Sequence, residues 1–153
     1  MRALYAGTVS PKISGLLDEA MTAYADTTRA EALLKQAQRE APEALPVYFS
    51  LYKFYFYKGR LADAEASARL ALATAARQGG FSSDFRELSA DTVDWSRHDG
   101  PQHFYLFSLK ALAFIRLRRG DKPGCDRILE KLAELDHGDS VGASVIGSIA
   151  AAI

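Results

Sequence analysis

One segment recurs three times in this chain, and no other feature restricts the possible folds as strongly. It reads TTRAEALLKQAQREAP at 27–42, YKGRLADAEASARLALATA at 57–75 and RRGDKPGCDRILEKLAELD at 118–136. Each copy is a cap or breaker followed by a small-residue-rich amphipathic stretch. Ala30 and Ala64 are 34 residues apart, as are Ala37 and Ala71. A period between about 20 and 50 residues marks a stacked repeat architecture. Such stacks expose long surfaces, and those surfaces commonly bind other proteins.

The punctuation predicts helices throughout. Ser10-Pro11 supplies an N-cap with Pro at the first helical position, opening a helix to about Ala25. Thr28 with Glu31 reads as a capping box for a second helix that Pro42 ends. Pro46 opens a third helix, closed by Gly59, and a fourth runs from Leu61 to about Arg77. A fifth runs from about Phe104 to Arg119 and ends at Gly120. Asp121 caps the sixth, His137-Gly138 ends it, and Ser140 is placed to cap the last. No stretch alternates with period two, so the chain is expected to be all-α. Gly59 and Gly120 are 61 residues apart. One period of 34 leaves an acidic insertion of about 27 residues near 79–103, with Asp84 and Asp91 as candidate caps.

The second copy resembles a tetratricopeptide repeat, a helix–turn–helix with large and small residues at fixed places. Tyr48, Leu51, Tyr55, Gly59, Ala64 and Ala71 occupy those places, while Tyr52 stands where that family has a small residue. The third copy keeps Leu112-Ala113 and Gly120 but carries Cys125 and Leu132 at the two alanine positions. Ile146-Gly147 fall where a fourth copy would begin. The resemblance implies one tetratricopeptide-like domain over 1–153, a right-handed stack of helical hairpins forming an α–α superhelix. Its degenerate repeats span about 11–44, 45–78 and 106–139, followed by a terminal packing helix at 140–153. The segment from Trp95 to Gly120 also resembles small repeat proteins encoded with bacterial nitrogen-fixation genes, which implies an accessory role in that system.

The repeat register makes a prediction about the aromatic stretch VYFSLYKFYFYK. Tyr48, Leu51 and Tyr55 are expected inside. Phe49, Lys53, Phe56 and Tyr57 are expected to face a concave groove, joined by Phe107, Lys110, Phe114 and Arg118. A helix apolar all round is either buried or lines an interface, so groove, thick core and subunit seam all stay open. The groove reading gives a protein or peptide partner. The seam reading gives a homo-oligomer. Lys53, Lys110 and Arg118 can attract an acidic tail. The Lys-Arg-Asn clamp of chaperone-binding repeats cannot be complete here, because the chain contains no Asn. Trp95 is a further candidate partner anchor, or else a cover for the core. Arg116, Arg118, Arg119 and Lys122 cluster at one hairpin turn. They suit an anionic partner or the acidic insert, or simply a solvated face at a helix C-terminus.

Catalytic chemistry finds little footing. No phosphate loop, dinucleotide fingerprint, HExxH or nucleophile elbow is present, so no cofactor and no enzymatic activity are expected. Asp94, His98, Asp99 and His103 are the only residues offering metal chemistry, and their spacing matches no strong zinc motif. Cys125 is the only cysteine. It stands at a small-residue position and reads as a packing residue, and a single thiol fits a reducing compartment. Basic and acidic residues balance at 19 each, which argues against nucleic acid. The start MRALYAGTVSPK lacks the apolar run of a secretory signal. The C-terminal run of 13 apolar and small residues is too short to span a bilayer. A cytoplasmic bacterial protein is expected, with no membrane partner.

Overall fold

The computed structural model describes residues 9–153, so most of the N-terminal stretch judged for a secretory signal lies outside the described residues. The described chain is all-helical, with seven α-helices and no strand. They are α1 (Pro11–Thr22), α2 (Thr27–Glu40), α3 (Leu45–Tyr57), α4 (Leu61–Gly79), α5 (Pro101–Arg118), α6 (Lys122–Leu135) and α7 (Ala143–Ala151). Each helix packs on the next in sequence. In addition α3 lies beside α5, and α5 beside α7. None of these helices is long and apolar enough to cross a membrane.

Small residues set the spacing between helices. Ala30, Ala64 and Cys125 occupy equivalent places in α2, α4 and α6, and all three are fully buried. The next equivalent set, Ala37, Ala71 and Leu132, is fully buried too. With alanine at these positions α2 and α4 can approach their neighbours closely, while Leu51, Phe104, Leu109, Leu112 and Ile128 fill the gaps between helices.

The turns after α3 and α5 share one geometry. Gly59 and Gly120 adopt φ of 75° and 86°, a conformation that is costly with a Cβ. Arg60 N–H reaches back to the Tyr55 carbonyl and Asp121 N–H to the Arg116 carbonyl, each at 2.9 Å. The same backbone bond therefore terminates both α3 and α5.

Several boundaries differ from the sequence reading. Asp26, not Thr28, caps α2 by accepting from Arg29 N–H at 3.1 Å, and Glu31 is drawn away to α3. The fifth helix starts at Pro101, three residues before Phe104. Ser140 does not cap α7. Its hydroxyl bonds the Asp136 carboxylate, while Asp139 accepts from Ser144 N–H at 3.2 Å.

The acidic insertion is ordered and closes the core. It contains a 3-10 turn at Phe85–Glu87, capped by Asp84 as expected. Asp91 caps nothing; its N–H instead bonds the Ser89 hydroxyl. Leu88 is buried, and Lys131 on α6 donates to the Leu88 carbonyl at 2.6 Å.

Candidate partner-binding face

The aromatic residues of α3 and α5 meet in two rungs. Phe49 and Phe107 have ring centroids 5.7 Å apart, and Phe56 and Phe114 are 5.1 Å apart. The spacing follows from helix geometry, since residues seven apart return to the same face. Each rung carries cations. The Lys53 ammonium lies 5.5 Å from the Phe49 ring centre, and that of Lys110 lies 4.5 Å from Phe107. The Arg118 guanidinium covers both Phe56, at 5.4 Å, and Phe114, at 6.0 Å. Cation–π pairing of this kind is worth about 0.5–1 kcal/mol at exposed sites. Partial burial holds the Lys110 ammonium below its ordinary lysine range, opposed by the charge of Asp139.

The eight predicted residues therefore form one surface, and their burial is intermediate between the open readings. Phe49, Phe56, Phe107 and Phe114 are half-buried, packed on the core along one edge. Tyr57 stands 66% exposed beside Phe56. Between α3 and α5 the paired rings close the surface. The hollow opens on the other side of α3, against α1. This groove of about 430 Å³ is lined by Phe49, Lys53 and Tyr57 together with Leu17, Met21 and Tyr24. Met21 is 71% exposed at its rim. Lys58 lies over the Tyr24 ring at 3.8 Å and donates to its carbonyl, tying the end of α3 to the turn between α1 and α2.

The α1 wall was missing from the sequence reading. Its signal was there: Ile13, Leu17, Ala20 and Tyr24 recur at helical spacing, and Met21 falls one residue beyond that stripe. Of the two readings of Trp95, partner anchor and core cover, the structure places it in the core. It is only 5% exposed, wedged against Phe81 at 5.3 Å and Tyr105 at 6.2 Å. Its Nε1–H donates to the Ser89 carbonyl at 2.9 Å. Trp95 covers the core and offers no anchor to a partner.

The remaining candidates disperse. In the basic cluster Arg118 joins the aromatic rungs, Arg116 and Arg119 turn to Glu65, and Lys122 pairs with Asp126. The His98 and His103 rings stack at 4.5 Å, but Asp94 accepts from Ser96 and Asp99 from Arg97. Among the described residues no three His, Cys, Asp or Glu side chains are grouped to hold a metal. Cys125 is fully buried, and desolvation pushes its thiol pKa up.

An all-helical protein with an aromatic, cation-edged face is the class these features define. No protein-family model and no solved structure matches the chain. A protein of Azotobacter chroococcum mcd 1, described as "Uncharacterized 19.8 kDa protein in nifW 5'region", is 32% identical over 125 residues. The match covers 80% of this chain and 70% of that protein. The chain belongs to the family of that protein.

Proposed function

We propose that the protein is a protein–protein interaction module, a tetratricopeptide-like superhelix of hairpins working by binding rather than catalysis in the cytoplasm. A partner helix or extended segment lies along α3, its apolar side chains entering the groove between α1 and α3. Aromatic burial supplies affinity. Lys53, Lys110 and Arg118 orient an acidic stretch of the partner and raise the association rate. The observation that carries this reading is the pair of partly buried aromatic rungs, each edged by a cation, continuing into an apolar groove rimmed by the exposed Met21, Tyr24 and Tyr57. The relative's description refers to the nifW 5' region, and an accessory role in nitrogen fixation is the corresponding biological setting.

Affinity capture from the native host tests the proposal, comparing the unaltered chain with Phe56→Ala/Phe114→Ala. A partner retained by the first and lost by the folded double variant supports it. Identical capture profiles from the two overturn it.

A second reading, a structural homo-oligomer, is favoured by one separate observation. Val145 and Ile149 form an exposed apolar stripe along α7, and Ile153 is exposed just beyond its end.

A further inference from the structure

A second cavity lies away from the aromatic face. It occupies about 500 Å³ between α4, the 3-10 turn of the insertion, α5 and α6. That volume falls inside the range of about 300–1,000 Å³ typical of small-molecule sites. Leu112 and Arg116 reach it from α5, about 200° around the helix from Lys110 and Phe114. The two surfaces are thus presented by opposite sides of α5.

Four arginines converge here from four elements: Arg69, Arg86, Arg116 and Arg127. Their carboxylate partners are too few. Arg69 is held by Glu65 at 3.0 Å and Arg86 by Asp84 at 2.8 Å. Arg116 is only 16% exposed at its side chain and reaches Glu65 at 3.6 Å, too far for a hydrogen bond. That same Glu65 also serves Arg119 at 3.1 Å. Arg127 forms no ion pair among the described residues. Four guanidiniums therefore face two carboxylates, in a chain whose net charge is zero.

The donor geometry selects the anion. Guanidinium forks match phosphate oxygens two at a time, and a phosphate can engage several forks at once where a carboxylate is exhausted by one or two. The partly exposed apolar group on the cavity wall is the Phe85 ring, with Leu72 and Leu112 buried beneath the wall. We propose that this cavity binds a phosphorylated small molecule, its phosphate between Arg116 and Arg127 and its organic portion against the Phe85 ring.

Titration calorimetry with inorganic pyrophosphate and with ADP tests this on the full chain. Saturable one-to-one binding is expected. Arg127→Gln, which breaks no ion pair, should weaken it about tenfold, the effect of about one charge-assisted hydrogen bond. Arg39→Gln, at the exposed end of α2, should leave it unchanged. ADP should bind more tightly than pyrophosphate, because only ADP carries an organic portion to set against Phe85. Equal affinity of the two overturns the apolar half of the proposal. No saturable binding, or equal losses from Arg127→Gln and Arg39→Gln, overturns all of it. So does a glutamate-rich peptide that binds where pyrophosphate does not, which would make the cavity a peptide site.

Discussion

Glu31 joins three elements through one carboxylate. It accepts from the Tyr55 hydroxyl at 2.6 Å and from both terminal nitrogens of Arg60 at 2.9 and 3.0 Å. Arg60 first, and Tyr55 second, hold the carboxyl below its ordinary value near 4.5. The folded state therefore binds fewer protons than the unfolded chain just below that pH. The contribution is present above about pH 4.5 and is lost as pH falls through the folded value. Glu31→Gln should flatten the acid side of a stability-against-pH curve obtained by urea unfolding. Tyr55→Phe should lower stability at pH 7 by about 1–2 kcal/mol, at the low end for a bond to a charge because Glu31 is partly solvated. The sequence presented Glu31 as half of a capping box with Thr28. Periodicity and caps are local signals, whereas its actual partners lie 24 and 29 residues away. His103 adds a second slope. Burial, and then the charge of His98, lower its pKa from the usual 6.5, with Asp136 opposing. Here the unfolded chain takes up the proton first, so stability is full above about pH 6.5 and falls below it. His103→Gln should reduce the loss between about pH 7 and pH 5 in the same unfolding series, and an unchanged slope would remove His103 as its source.

At the scale of elements, the insertion and the aromatic helices respond differently to truncation. Trp95, Phe81 and Tyr105 form one aromatic cluster, and the Tyr105 hydroxyl donates to the Ser83 carbonyl at 2.8 Å. Trp95→Ala should therefore cost about 3–5 kcal/mol, the range for a large buried aromatic, measured by thermal or urea unfolding. Phe56→Ala and Phe114→Ala remove rings that are only half-buried, so each should cost about 2 kcal/mol, roughly half the buried figure. A larger loss at Phe56 and Phe114 than at Trp95 would reverse the roles assigned here, making the rungs core and the insertion peripheral. The rungs were legible because α3 and α5 lie in register, and a seven-residue recurrence survives in sequence as Phe49, Phe56, Phe107 and Phe114. The insertion was not. Its side chains follow no helical or strand period, so nothing in their order shows that Phe81 and Trp95 fold back onto Tyr105.

The described chain is a run of seven helices, each packed on the next, with one end left apolar. The period visible between Ala30 and Ala64 corresponds to equal burial in the structure, and for that reason the helical architecture could be read from the chain. The fate of the last helix could not, because docking depends on surfaces that a single sequence does not pair. α7 packs on α5 and α6 through Ile146 and Ala150, which are buried. The insertion does not cover its other side; Leu88 and Lys131 hold the insertion on α6. Val145 is left 61% exposed, Ile149 41% and Ile153 76%. Residues four apart align along one face of a helix, so Val145 and Ile149 make an apolar stripe, with Ile153 exposed beyond the helix end. A terminal element of a stacked repeat protein ordinarily turns a polar face to water. This stripe departs from that pattern, and a second copy of the chain is the occupant proposed for it. A twofold pairing of α7 with itself closes with one self-complementary patch. Light scattering at increasing concentration should show a dimer for the unaltered chain, and Val145→Ser/Ile149→Ser should shift it to monomer. Neither residue touches the buried side of α7, so the helix itself should survive. A monomer at every concentration would exclude the pairing. A dimer unaffected by the double change, but lost with Phe56→Ala/Phe114→Ala, would move the subunit contact to the aromatic face.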